Sequence, residues 1–431
     1  MYNQMKYFLW ITLGVMLLPS CGKQLDLYPY SSVTPGNVTE SDLEPLINGL
    51  YNVVQNRPGR ESYVMFDLVG GNMINAAGGN QLVFINNILR PEQGLMSTAW
   101  NGYYAALYQV NNAMESVEPL PDSEKKRRLL GTAHFFRALI YYNLVTRWGG
   151  VPILRVKTED KLPRDTEAAV WAFIEEDLTA AIPSLPSFAT GLNGNYFYLS
   201  QEAAQALMAR VKLMTGKTEE AAIWAEAIIT SNQFQLDDFS RMFRGQDNNE
   251  VIFSFVNLNV ESSVNLSTMF YTYAHPVGGS YVYKPNDEVL VLYGEDDKRK
   301  AISIDTYEGL DVVNKYSSGQ AGTDPIIVIR LAEIYLISAE AQGMAGLPRL
   351  NGLRHARNLP PIAPANETEY ESAVTLERRR ELFAEGFRYY DLVRRGEAVE
   401  TLGIDPSRQK FPIPENELIL NELMTQNDGY N

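Results

Sequence analysis

The stretch NLSTMFYTYAHPVGGSYVYKP gathers Phe270, Tyr271, Tyr273, Tyr281 and Tyr283 around Gly278 and Gly279. Such rings have few rotatable bonds and combine an apolar face with a polar tip, so they hold a sugar face or a peptide backbone at low entropic cost. Alternate tyrosines packed along a short strand give the same pattern, and both readings stay open. A second stretch, FDLVGGNMINAAGGNQLVFINN, interleaves Gly70, Gly71, Gly78 and Gly79 with Asn72, Asn75 and Asn80. Glycine makes positive φ available, and side-chain amides both donate and accept, which suits a hydroxyl-rich ligand. A polar surface loop is the plainer alternative.

Little else in the chain suggests covalent chemistry. Cys21 is the single cysteine, so one chain can form neither a disulfide nor a cysteine metal site. His134, His275 and His355 are too scattered for a metal cluster, and no metal or cofactor is expected. The patterns G-x-S-x-G, H-E-x-x-H and a phosphate loop are missing. A glycosidase needs two carboxylates roughly 5–10 Å apart in a cleft, and 52 acidic residues leave such a pair open. With 25 tyrosines against 3 histidines, however, the composition reads as a binder and not an enzyme. The formal net charge of −15 argues against nucleic acid and anionic lipid surfaces as partners.

These residues must be positioned by helices. In LLGTAHFFRALIYYNLVTRWGGVPI, Leu129, Ala133, Phe136, Ile140, Leu144 and Trp148 recur at helical steps, and the opposite side is equally apolar. Such a helix lies inside a helical domain and stops at Gly149 and Gly150. Arg137 is trapped in it and needs a carboxylate, for which Glu333 and Glu340 in RLAEIYLISAEAQG are the expected partners. A helix from about Ser41 to Gln55 buries Leu43, Leu46, Ile47, Leu50 and Val54, with Ser41 as its cap. Another follows Thr166 or Asp165 and buries Val170, Ile174, Leu178 and Ile182. Gln201 to Phe234 has the length of one tetratricopeptide-type repeat of about 34 residues, turning at Gly216. NNEVIFSFVNL alternates like a strand, and DDKRK (296–300) reads as a cap or loop feature. In ERRREL, Glu377 with Arg380 and Glu381 with Arg378 are spaced for surface or interhelix bridges.

The amino terminus reads as an export signal. Lys6 precedes an apolar run from Tyr7 to Leu18, too short for the ~20 residues of a spanning helix, and Leu18-Pro19-Ser20-Cys21 closes it. An ordinary signal peptide with a coincidental cysteine is the alternative to a lipid-attachment site.

FFRAL followed by RWGGVP resembles the SusD/RagB family of outer-membrane nutrient-binding lipoproteins. PRDTEAAVWAFIEEDLTAA, the NNEVIFS strand, ERRRELFAEGFRYYDLVRRG and the closing FPIP and QNDGY match further family landmarks in order. The resemblance implies a mainly α fold, a tetratricopeptide-like helical hairpin scaffold with an irregular, loop-rich half containing a few short strands. Residues 1–20 would be a lipoprotein signal peptide and 21–431 a single SusD-like domain, with Cys21 carrying the lipid. The scaffold would occupy about 40–60, 92–240 and 325–400, and the ligand face about 61–91 and 245–324. Family ligand contacts arise between the first helix and the Trp100 helix, which points to Asp67, Asn72, Asn75 and Phe84; Tyr271, Tyr273, Tyr281 and Tyr283 join them from the second segment. The implied function is capture of oligosaccharide at the cell exterior and delivery to a SusC-like TonB-dependent transporter in the outer membrane. A peptide carrier of the RagB type, or a docking scaffold without a small ligand, are the alternatives.

Overall fold

The computed structural model describes residues 38–77 and 89–430, apart from 159, 259 and 263. Cys21, the export signal and Phe84 lie outside the described residues. The chain enters at Thr39, whose N–H and hydroxyl both donate to the Asp42 carboxylate (2.8 and 2.7 Å), and a short 3₁₀ turn leads into helix α1, Leu43–Asn56. The cap therefore falls two residues before Ser41. Leu43, Ile47, Leu50 and Val54 are buried as their spacing predicts.

Helix α2, Gly94–Val117, and helix α3, Glu124–Trp148, pack against each other and against α1. Trp100 on α2 is buried edge-on to Trp148, with centroids 5.1 Å apart. Helix α3 is buried on nearly every side from Leu129 onward, which is why its sequence lacks a polar face. At its end the Trp148 indole N–H donates to the Pro412 carbonyl (3.0 Å), docking the carboxy-terminal FPIP segment.

Helices α4 (Glu167–Ala181), α5 (Gln201–Met214) and α6 (Thr218–Thr230) continue the stack, each against the one before. The α5–α6 pair is the expected hairpin. Ala206, Ala209 and Ala221 are fully buried where the two helices meet, and Gly216 takes positive φ at the turn. Helix α7, Leu331–Ala341, covers α6 and is covered by α8, Leu347–Ala356, and α9, Glu367–Glu381; α10, Arg388–Arg394, follows. Each pair thus hides an apolar face that it could not hide alone.

Strands are short and paired in twos. β1 (Met73–Asn75) runs antiparallel to β3 (Tyr283–Pro285), β2 (Val251–Phe255) to β6 (Ile326–Arg330), and β4 (Ile304–Tyr307) to β5 (Leu310–Val313). The buried β2–β6 pair opens and closes the irregular segment between α6 and α7.

The expected partners of Arg137 are corrected by the structure. Its guanidinium donates twice to Asp177 on α4 (2.8 and 2.7 Å) and once each to the Asn111 side chain and the Arg155 carbonyl. Glu333 instead pairs with Arg210 (2.6 Å), and Glu340 with Arg394 and Arg395 (2.6 and 3.1 Å). The reason is adjacency: α4 lies along α3, whereas the α7 carboxylates face α5 and α10.

Of the two bridges expected within ERRREL, Glu377 with Arg380 forms (3.7 Å) and Glu381 with Arg378 does not, and both carboxylates are buried. Arg299, Lys315, Arg330, Arg354 and Arg357 meet Glu250, Asp297, Glu377, Glu381 and Glu385 in one buried network. Glu381 alone contacts Arg330 (2.6 Å), Arg299 (2.8 Å) and Arg357 (2.8 Å). Burial pushes its carboxyl up, but the three guanidinium groups outweigh burial and hold it well below the usual carboxylate range. Arg378 turns instead to Asp391 (3.1 Å), and Asp297 and Arg299 of the 296–300 stretch belong to the core.

Two outcomes are expected. Arg137→Met strands a buried carboxylate and should cost about 3–5 kcal/mol in denaturant melts. In a double-mutant cycle it should couple to Asp177→Asn and not to Glu333→Gln. Glu340 gives the pH dependence. Burial pushes its carboxyl up, yet Arg394, Arg378 and Arg395 bring it down to about 2 from 4.5. Its folded value lies below its unfolded one, so the stability it contributes is complete above the unfolded value and is lost as pH falls toward 2. Glu340→Gln should flatten the fall in melting temperature across that window.

Candidate functional site

Pairing of β1 with β3 brings the two sequence-nominated segments to one corner, with Asn75 opposite Tyr283 and Met73 opposite Pro285. Bonds from Ala76 N–H to the Val282 carbonyl (2.9 Å) and from Asn286 N–H to the Asn72 carbonyl (3.0 Å) extend the pairing. The glycine pair at 278 and 279 lets the incoming chain fold back on itself. A Cβ on Gly279 would stand 2.4 Å from the Tyr271 carbonyl oxygen, closer than any side chain permits.

Burial then sorts the candidates. Asp67 is fully buried: its carboxylate accepts from the Asn72 amide (2.8 Å) and from the N–H groups of Ala384 (3.0 Å) and Gly386 (2.6 Å). Burial pushes its carboxyl up to about 6, against these donors, which favour the ionised form. Asn72 is buried too, donating to Asp67 and accepting from Arg379 Nε (2.9 Å). These two tie the first segment to residues 379–386 and offer a ligand no surface. Tyr271 and Tyr283 are also fully buried, and burial raises both phenols above their ordinary range. For these two tyrosines the packing alternative holds.

Tyr273, Tyr281 and Asn75 remain at the surface. Tyr273 is 94% exposed. Tyr281 is half-buried, with positive φ and its hydroxyl donating to the Asp311 carbonyl (3.0 Å), while Asn75 is half-buried at the end of β1. Two rings that sequence reasoning did not assign to the site complete the rim. His275 lies between Tyr271 and Tyr307, with centroids 4.5 and 4.7 Å away, and its Nδ1 accepts from Val277 N–H (3.0 Å). Tyr307 ends β4 just before a two-residue turn in which Glu308 and Gly309 both have positive φ. That is the hairpin turn for which x-Gly between apolar runs is the signal, and YEGLDVV carries it. His275, Tyr281 and Tyr307 therefore present aromatic faces and phenol hydroxyls on a backbone held from below, while Tyr273 projects into solvent from the same loop, an arrangement suited to stacking and hydrogen bonding.

Among the described residues, no three His, Cys, Asp or Glu side chains are gathered to hold a metal ion, and no helix is long and apolar enough to cross a membrane.

Comparison with known proteins gives a consistent picture. Residues 23–213 match a family model described as starch-binding and associating with the outer membrane, and residues 288–410 match that of the SusD family. SusD-like protein P38 of Formosa agariphila is 25% identical over 98% of this chain and 98% of its own. Among solved structures, surface glycan-binding protein A from Bacteroides fluxus superposes with a TM-score of 0.80 at 21% identity, covering 91% of this chain and all of that one. A laminarin-binding SusD-like protein gives 0.79 at 22% identity, with coverage of 91% and 100%. The fold is shared with both.

Substitutions should separate the buried candidates from the exposed one. Asp67→Ala leaves two backbone N–H groups and the Asn72 amide without their acceptor, and is expected to destabilise by about 2–4 kcal/mol. Tyr273→Ala should change stability by less than about 0.5 kcal/mol. Equal effects of the two in denaturant melts would contradict this assignment.

Proposed function

The chain belongs to the SusD/RagB family, and from that premise we propose that it captures oligosaccharide at the cell surface and delivers it to a SusC-like TonB-dependent transporter. The observation that carries this reading is the rim of Tyr273, His275, Tyr281 and Tyr307. It lies on a fold shared with proteins named for binding laminarin and surface glycans. Of these rings, His275, Tyr281 and Tyr307 are held by neighbours and lose little freedom when a sugar stacks on them, so affinity comes without a deep cleft.

The protein acts as a binder and not a catalyst, needing no cofactor. Residues 21–431 form the mature unit, and acyl chains on Cys21 anchor it to the outer membrane while the rest stays in water, facing the cell exterior. The outer-membrane description of the family supports that placement. A RagB-type peptide ligand and a docking role without small ligand are the competing outcomes of the test below.

Isothermal titration of residues 23–431 with starch- and laminarin-derived oligosaccharides, and with a peptide panel, tests the reading. Heat from one neutral glycan class without product release is expected. The pair Tyr273→Ala and Tyr281→Ala should weaken it by about tenfold or more. Heat from peptides alone, or released product, would overturn it.

A further inference from the structure

Helix α1 has an outward face unlike that of an ordinary surface helix. No charged residue occurs between Glu44 and Arg57, and the exposed positions include Asn48, Gly49 and Asn52. Asparagine and glycine are poor helix formers, so this face serves neither helix stability nor solubility. Asn52 has a structural reason, since its amide donates to the Glu261 carbonyl (3.1 Å) and ties the chain after β2 to the helix. For Asn48 and Gly49 the structure supplies no such reason. Among the described residues the Asn48 side chain has no hydrogen-bond partner, and a Cβ on Gly49 would meet nothing within 4 Å.

Asn48, with Gly49 next to it on the helix, lines an open groove of about 500 Å³, a size within the ~300–1,000 Å³ of small-molecule sites. Tyr51 and Phe255 line it from below, their rings edge-on to each other. Asn195, Phe197 and Tyr198 line it across from α1, and this wall is fixed because the Leu199 N–H donates to the Tyr51 hydroxyl (2.7 Å). Val256 and Leu258 add exposed apolar surface at 40% and 44%. The lining includes one carboxylate, Glu261, and no cation. None of its residues belongs to the Tyr273 rim.

Rings and apolar side chains that can take the C–H faces of a sugar, and amides that can take its hydroxyls, are thus gathered in one place. We propose that this groove is a second saccharide site, taking a neutral polyhydroxylated segment of one or two sugar units. The inference rests on the binding function proposed above, and it assigns that function a second, independent contact. A long glycan would then be held at two points on one protein, raising avidity without a tighter single site.

The test uses the full chain in detergent micelles, titrated with maltohexaose and with laminarihexaose. One variant carries Asn48→Ala, Gly49→Ala and Phe197→Ala; another carries Tyr273→Ala and Tyr281→Ala. In the wild type, two binding events are expected for at least one probe, and each variant should retain one of them, with the other weakened about tenfold. Asn48→Ala with Gly49→Ala alone should leave the melting temperature unchanged or higher, while still weakening the groove event. A groove variant that titrates like the wild type, or loss of all heat in the rim variant, overturns the second site and leaves the rim reading standing. Loss of all heat in the groove variant alone supports the groove and overturns the rim. Silence of the wild type with both probes overturns both.

Discussion

Glu381 sits where water does not reach, in contact with three guanidinium groups, and much of the molecule is arranged to keep that carboxylate ionised. Its partners come from far apart in the chain: Arg299 and Lys315 from the irregular segment, Arg330 from the end of β6, Arg357 from the end of α8. Isolated, any of these charges would be too costly to bury; assembled with opposite signs in contact, they offset one another only in the correct geometry. The network therefore specifies which segments meet more than it adds stability.

Display of the aromatic rim follows from that constraint. Residues 379–386 are bonded from both irregular segments. Asp67 and Asn72 reach them from the first, and the Tyr293 and Tyr316 hydroxyls donate to the Arg380 and Ala384 carbonyls from the second (2.8 and 2.9 Å). The β1–β3 pair has only three residues in each strand and could not hold its own register unaided. It is held because the chain before β1, through Asp67 and Asn72, and the chain after β3, through Glu288 and Tyr293, are fastened to the same stretch. Tyr281 is thus held from beneath, its N–H donating to the Tyr271 carbonyl (2.9 Å) and its hydroxyl to the Asp311 carbonyl (3.0 Å), and the stacked helices supply the platform on which that stretch rests.

Much of the scaffold was legible in the sequence because helical periodicity is local. The stripes of α1 and α4, the all-round apolar α3 and the α5–α6 hairpin each follow from spacing within a few turns. Long-range pairing was not legible in the same way. The partner of Arg137 depends on which helix lies beside α3, although Asp177, set between Ile174 and Leu178 on the buried face of α4, was the visible clue. Spacing within ERRREL gives the Glu377–Arg380 bridge but not the partners of Glu381, because nothing within that helix reveals that its acidic side faces inward. For the site, alternation could not tell a stacked tyrosine from a packed one: Tyr271 and Tyr283 turned inward, and Tyr273 and Tyr281 did not. His275 and Tyr307 were missed because one was weighed only as a metal ligand and the other sat in an unrecognised hairpin.

The dependence of the rim on the buried network can be measured by amide hydrogen exchange on Glu381→Gln, at a temperature where the variant remains folded. Amides of β1, β3, β4 and β5 are expected to lose protection together while those of α2 to α6 keep it. Protection unchanged in the strands, or lost to the same degree in the helices, would contradict it.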